Sequence, residues 1–463
     1  MMTRTAQAVL SHLVLLSLLV LAVPARAQTI TGTITGVVTD ATGAVVAGAT
    51  VTIREVKTNL TMTTTTDTSG LYRVTNLPRG IYEIKVEQKG FKTAAVDNVE
   101  LTVNEVKRVD VTLEVGEISE IVTVTGEVPL INTEEGRLSG LVDKRRIVDL
   151  PLVTRDFTQL ALLQPGVVAG GIGSNTGGFS IGGARSRGTN FLVDGIENND
   201  PVVAGFAQIV VPLDSVEEFR LIRNTFGAEF GRLSGGVLSV ATKSGSNEIH
   251  GTVWEFHRDR SLRARNFFER EKPPFVRNQF GFDLGGPILK DKFFAYGSYE
   301  ATTLRSSTSQ RARFFTAEAI RAATGPVARD LLQRFPRPVA TENPRFVTVG
   351  NEQIPVSAET VITRPDSSDF HSFVVRLDHQ GFGGRNRISG RYIFNQTNNL
   401  APLASNSLLT EFFGLDTSFR SQNVGLTNTT LIRPNVINEL KLGLTRDAFD
   451  WRPRNPQVPT ITI

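Results

Sequence analysis

Few residues in this sequence have the types and spacing that chemistry requires. Gly178-Phe179-Ser180-Ile181-Gly182 fits the G-x-S-x-G of a nucleophile elbow, in which Ser180 would attack an acyl carbon. Such an elbow needs a buried strand before the serine and a helix after it, whereas glycine-rich sequence lies on both sides here. "ATKSG" ends like a phosphate-binding loop, but Lys243 lacks the preceding glycine and the G-x-x-x-x-G-K spacing. Four histidines follow residue 27: His250, His257, His371 and His379. Their gaps of seven and eight residues give no i, i+4 pair for a metal on one helix face. Asp40 and Asp67 each begin an Asp-x-x-Gly turn, where the carboxylate caps its own backbone. There is no cysteine, so disulfides, thiolate metal sites and a lipid-bearing cysteine are excluded. The residues therefore predict no catalytic, cofactor-binding or metal site, and a secreted hydrolase would require a nucleophilic Ser180.

What remains is a question of architecture. The 463 residues suffice for two to four domains, and 40% hydrophobic with 21% charged residues suits folded ones. The net charge of +4 is small and spread out, which argues against nucleic acid. At the N-terminus, Arg4 precedes an apolar run from Leu13 to Val23, then Pro24 and Ala25-Arg26-Ala27. This reads as a signal peptide over 1–27, cleaved between Ala27 and Gln28. No other segment is apolar for long enough to cross a bilayer as a helix, so a membrane-spanning mature chain would have to be a β-barrel.

Residues 28–116 alternate in short strands broken by turns at Asp40–Gly43, Asp67–Gly70 and Pro78–Gly80. Six or seven strands in so short a span predict a β-sandwich. "EIVTVTGE" within 117–130 is β-prone in a polar setting, suited to strand addition or to one more structural strand. In 131–245, "NFLVDG" reads as a strand into a turn, "LDSVEEFRLIR" as an Asp214- or Ser215-capped helix start, and "GGVLSVATKSG" as a strand. From 246 to 463 seven strands follow, with connections that alternate long and short. The longest would be a loop of about 65 residues from Arg305 to Asp369, with "TAEAIRAATGPVARDLLQRF" helical inside it. Phe373, Val375 and Leu377 oppose Val374, Arg376 and Asp378, and Leu440, Leu442 and Leu444 oppose Glu439, Lys441 and Thr445. One row would face lipid and the other a polar lumen. Six arginines between Arg258 and Arg277 would lie in a solvated loop or meet an anion.

Two resemblances organise these parts. "GVVTDATGAVVAGATV", "TDTSGLYRV" and "LPRGIYEIKVEQKGF" resemble the carboxypeptidase regulatory-like domain, a transthyretin-like sandwich of the carbohydrate-binding-like superfamily. Arg187-Gly188, the stretch Phe191–Asp200 with Asp194-Gly195, and "EFRLIRNTFGAEFGRLSGGVLSVATKSGSNEIHG" resemble the plug domain of TonB-dependent outer-membrane receptors, in particular the Oar-like subgroup. Within that last block the matching residues are Glu229, Gly231, Arg232, Gly235 and Gly236.

The resemblance implies a mainly β chain: sandwich, α+β plug, then the first strands of an antiparallel transmembrane barrel. It promotes Glu120, Ile121, Val122, Thr123, Val124 and Thr125 to a candidate TonB box. It implies no enzyme activity and no cofactor. The partners would be TonB with its motor, outer-membrane lipid, and an unknown small ligand, peptide or glycan. Family barrels have about 22 strands. Seven strands and the ending "PTITI" therefore predict an N-terminal portion of a longer receptor, or a truncated gene product. The expected function is energy-coupled import. The rival is an adhesin or glycan-binding surface protein that uses the barrel as an anchor; it would not need an exposed, extended box.

Overall fold

The computed structural model describes residues 31–117, 121–123, 138–150, 152, 155–169, 179–201, 207–223, 230–231, 234–265, 271–327, 329–330, 342–381, 385–401, 415–433 and 436–453. The signal peptide with Ala27 and Gln28 lies outside them.

The first part is a sandwich of two sheets. One has β1 (Gly32–Asp40) between β4 (Leu71–Leu77) and β7 (Val106–Arg108), with β8 (Val111–Leu113) also on β1. The other runs β3 (Thr61–Thr65), β2 (Thr50–Glu55), β5 (Gly80–Glu87), β6 (Thr93–Leu101), β9 (Ile121–Thr123). Inward residues of both sheets, among them Ile34, Ile53, Tyr72, Ile84 and Leu113, form one core. "KRVDVTLEV" is two strands rather than one. Between them the Asp110 carboxylate accepts from the Val37 N–H at 2.8 Å, in place of a ladder bond. The Asp-x-x-Gly turns form as expected. Asp40 accepts from Thr42 Oγ1 at 2.6 Å and from the Ala44 N–H at 2.9 Å; Asp67 does the same with Ser69 and Leu71. The Thr42 and Ser69 hydroxyls lead the bonds that hold these carboxyls below their ordinary range.

The second part is a five-stranded sheet in the order β10 (Leu138–Val142), β15 (Val216–Arg223), β16 (Gly236–Thr242), β13 (Thr189–Val193), β14 (Ile196–Glu197). Helix α1 (Lys144–Asp149) packs beside it, capped by Asp143. The small pair β11 (Val167–Ala169) and β12 (Phe179–Ile181) is a separate two-stranded sheet that packs into the same core. "LDSVEEFRLIR" is not a helix. The capping signal yields only a single 3-10 turn, Leu213–Ser215, before β15. Pairing to β10 on one side and β16 on the other outweighs that local signal.

The third part is an antiparallel meander, β17 (His250–Asp259), β18 (Phe275–Leu289), β19 (Phe293–Phe315), β21 (Glu352–Gly381), β22 (Asn386–Ala401), β23 (Leu415–Arg433), β24 (Val436–Pro453). These are the seven expected strands, and β20 (Glu342–Val349) adds an eighth on β21. Among the described residues the sheet is open, with no pairing between β17 and β24. The long loop expected from Arg305 to Asp369 is mostly ladder. β19 and β21 pair from Phe293↔His379 to Phe315↔Ser357. About ten residues cross a bilayer as a strand, so this hairpin of 23 and 30 residues projects well beyond it. The helix expected there is broken: α2 (Ala317–Ala322) is followed by a further helical piece at 326–327 and 329–330 among the described residues. The lipid-facing rows are mostly as read: Val375, Leu377, Leu440, Leu442 and Leu444 are exposed and Phe373 is half-buried, stacked on Phe394, while Val374, Arg376 and Asp378 are inward or largely covered and Glu439, Lys441 and Thr445 are partly covered.

Candidate functional site

The plug sheet sits against the inner face of the barrel strands, and its contacts begin at a turn. β13 and β14 are joined by two residues only, Asp194 at φ +50° and Gly195 at φ +72°. Both left-handed positions in a two-residue hairpin make a type I′ turn, for which Asp-Gly is a preferred pair. The turn aims the Asp194 carboxylate at neighbours from two domains. Thr242, at the end of β16, donates from its N–H at 2.9 Å and its hydroxyl at 2.7 Å. From the barrel, Arg391 Nη1 reaches it at 2.8 Å and Arg376 Nη1 at 3.4 Å. Arg376 is also forked onto Asp378 at 2.9 and 3.0 Å, and Arg391 reaches Asn423 at 2.5 Å. Burial alone would raise the Asp194 pKa; the two guanidiniums and the Thr242 bonds outweigh it and hold the carboxyl below its ordinary range.

A second contact lies one residue on. Lys243 Nζ meets Asp283 of β18 at 2.7 Å, with both side chains almost wholly buried. Tyr296 donates to Asp283 at 3.2 Å, and Ser215 and Ser298 hydroxyls meet at 2.5 Å. Arg155 pairs with Asp214 and lies over the Trp254 ring at 4.3 Å. Apolar contact continues the seam: Val374 and Ile393 of the barrel belong to the plug core. Lys243 is thus a plug-to-barrel bridge rather than part of a phosphate loop.

The glycines of the plug motif serve close packing. The Gly188 carbonyl accepts from the Ser234 and Gly235 N–H groups, each at 3.1 Å, which clasps the start of β13 to the start of β16. At Gly236 a Cβ would stand 2.7 Å from the Ile222 carbonyl oxygen and 2.9 Å from Ile181. At Gly235 the nearest atom would be the Ala184 Cβ at 3.1 Å. Gly236→Ala is therefore expected to cost about 1–3 kcal/mol of plug stability by overpacking. Gly235→Ala should cost less, and plug melting in the folded chain compares the two. Arg187 is exposed in the 3-10 turn Ser186–Gly188, and the Gly231 carbonyl accepts from Asn190 at 3.2 Å. Glu229 and Arg232 lie outside the described residues.

The candidate box divides likewise. Glu120, Val124 and Thr125 lie outside the described residues, while Ile121, Val122 and Thr123 form β9, parallel to β6 at the sandwich edge. The sandwich in turn docks on the plug strand β15. Arg79 meets Glu217 at 3.2 Å, the Val103 N–H donates to Glu218 at 2.5 Å, and Arg220 donates to Thr102 at 2.7 Å. Burial raises both glutamates; Arg79 reverses this at Glu217, and at Glu218 burial prevails. The sandwich also touches the short β18–β19 turn, where Asn59 donates to Asp291 at 2.8 Å. A cavity of about 430 Å³ lies where the three parts meet, lined by Arg79, Lys144, Glu217, Glu218, Arg376 and Asp378 among others.

The Ser180 hydroxyl donates at 2.5 Å to the Ala184 carbonyl in its own turn, on strand β12 and not on an elbow. The four described histidines are on barrel strands: His257 meets Asn278 at 2.6 Å and His371 meets Tyr299 at 2.8 Å. Arg391, Asp283 and Thr242 were not singled out from sequence, and Arg376 was read only as a lumen-facing residue. The one available signal was an inward-facing charge in a strand whose alternate residues face lipid.

Comparison with known proteins gives three matches in chain order. Residues 33–114 match the carboxypeptidase regulatory-like domain, 141–237 the TonB-dependent receptor plug domain, and 241–462 an outer membrane beta barrel domain. Over 259 residues, 52% of this chain and 24% of that protein, the sequence is 32% identical to the TonB-dependent transporter Oar of Myxococcus xanthus. It is 28% identical over 181 residues, 35% of this chain and 23% of that protein, to the probable TonB-dependent siderophore receptor PirA of Acinetobacter baumannii. The chain thus spans about a quarter of the length of these curated relatives. Among solved structures, the outer membrane transporter YddB from Escherichia coli matches with a TM-score of 0.46 at 12% identity, over 66% of this chain and 38% of that one.

Proposed function

We propose that this chain, which belongs to the TonB-dependent receptors of the outer membrane, is the gating part of an energy-coupled importer of a scarce solute. The supporting observation is the plug seated against the barrel by buried ionic contacts that converge on one carboxylate, Asp194. A solute bound on the outer side would loosen the plug by its differential affinity for the two plug states. TonB would take the box segment by strand addition and pull. The sandwich would stand in the periplasm, on the side of the short turns, since it touches the β18–β19 turn at Asp291. Nothing in this reading asks for chemistry by the chain itself.

The test is binding of the periplasmic domain of TonB to the full chain, with Val122→Pro as the contrast. Proline removes one backbone donor from the strand. The expected result is binding by the parent chain and a loss of about tenfold or more in the variant. Absence of binding by the parent chain would move the reading to an outer-membrane adhesin anchored by its barrel.

A further inference from the structure

The placement of β9 goes further than a box somewhere between sandwich and plug. Its three residues pair in parallel with β6, Thr93↔Ile121, Ala94↔Val122 and Ala95↔Thr123. The sheet order ends at β9 among the described residues. A strand has two hydrogen-bonding edges; β6 occupies one, and among the described residues no strand pairs with the other, which makes it a template for an incoming strand. We propose that the sandwich presents Ile121–Thr123, the described part of the box, to its partner as the edge strand of this sheet, so that the partner's strand adds to the sandwich sheet and the pull travels through β6 into the plug. This rests on the TonB-coupled reading above and adds a role for the sandwich that the reading does not require.

Two observations carry it. The segment is held extended before any partner arrives, and ordering in advance lowers the entropic cost of strand addition. In addition, β6 is tied at its other end to the plug. Thr102 and Val103, which follow directly after β6, are bonded by Arg220 and Glu218 of β15 at 2.7 and 2.5 Å. β15 is an inner strand of the plug sheet, between β10 and β16. Load applied along β9 therefore passes across the β9–β6 ladder, along β6, and into the plug through these side chains. A free box would instead load only the linker that follows it.

The chain has no cysteine, so one engineered pair reports cleanly. Ala95→Cys with Thr123→Cys places thiols on Cα partners of adjacent strands. Such strands are about 4.8 Å apart, within disulfide reach. The full chain is oxidised mildly, bridge formation is read by peptide mass, and binding of the TonB periplasmic domain is compared in the oxidised, reduced and parent chains. The expected result is a bridge, and affinity of the oxidised chain within about twofold of the reduced one. If no bridge forms, β9 is not held on β6 and the proposal fails. If the oxidised chain loses binding by about tenfold or more while the reduced chain binds like the parent, the box must leave the sheet to be recognised. Presentation is then wrong and the TonB-coupled reading stands. If the parent chain does not bind, that reading fails and takes the proposal with it. Thr93→Cys with Ile121→Cys repeats the comparison should the first pair disturb folding.

Discussion

Asp194→Asn is expected to open the β13–β14 hairpin without changing its shape. The amide keeps the size of the side chain and removes its charge, leaving the Arg391 guanidinium buried without its counter-charge, while Arg376 keeps that of Asp378. Breaking one side of a buried ion pair costs about 3–5 kcal/mol. Amide exchange of Thr189–Glu197 in the membrane-embedded protein should then accelerate by roughly a hundredfold or more. Adding Arg391→Met to Asp194→Asn should recover much of the loss, because the stranded charge is then gone. An exchange rate unchanged by Asp194→Asn would show that the hairpin is held by apolar packing alone. The pH dependence has a defined sign. The carboxyl is lowered in the folded state, so its contribution is complete above the unfolded value of about 4 and is lost only as pH falls through the still lower folded value. Between pH 8 and 5 the hairpin's opening should therefore be flat.

How much of this was legible depended on whether the signal was local. The Asp-x-x-Gly turns, the Asp194-Gly195 turn and the alternation of Val375 and Leu377 against Arg376 and Asp378 are patterns within a few residues, and the structure has them all. β15 was misread because its local signal is mixed. Asp214 and Ser215 do start a 3-10 turn, while Glu217, Glu218 and Arg220, which look like the polar face of a helix, are buried contacts to the sandwich. The outer parts of β19 and β21 were misread as loop for the opposite reason. A ladder that projects beyond the bilayer lacks a lipid-facing row, so its Ser, Thr and Arg residues lose the alternation by which the inner parts are recognised. The latch itself was invisible from sequence. Asp194 lies 182 residues before Arg376 and 197 before Arg391, and no periodicity links positions so far apart.

Lys243→Met should have an effect of similar size with a different consequence. The substitution keeps much of the side chain's length and leaves Asp283 buried without its cation, again at about 3–5 kcal/mol. The covalent geometry separates the two latches. Lys243 follows β16 directly, and only six residues separate it from β17 at His250, so this end of the plug is tied to the barrel whether or not the ion pair exists. The Asp194 hairpin has no such tether. Breaking the Lys243 contact should lower the stability of the whole assembly, seen as earlier thermal unfolding, with much less acceleration of hairpin exchange than Asp194→Asn produces. Lys243→Met with Asp283→Leu should restore most of the loss, since both buried charges are removed. The two sites share neighbours, because Thr242 donates to Asp194 and is bonded to Lys243 in the chain. Coupling of about 0.5–3 kcal/mol between Asp194→Asn and Lys243→Met is therefore expected. If the two variants instead behave alike, with equal hairpin exchange and equal melting, the plug moves as one rigid body and Asp194 is not a separate gate. If they divide as expected, Lys243 is the hinge side of the plug and Asp194 the side that opens.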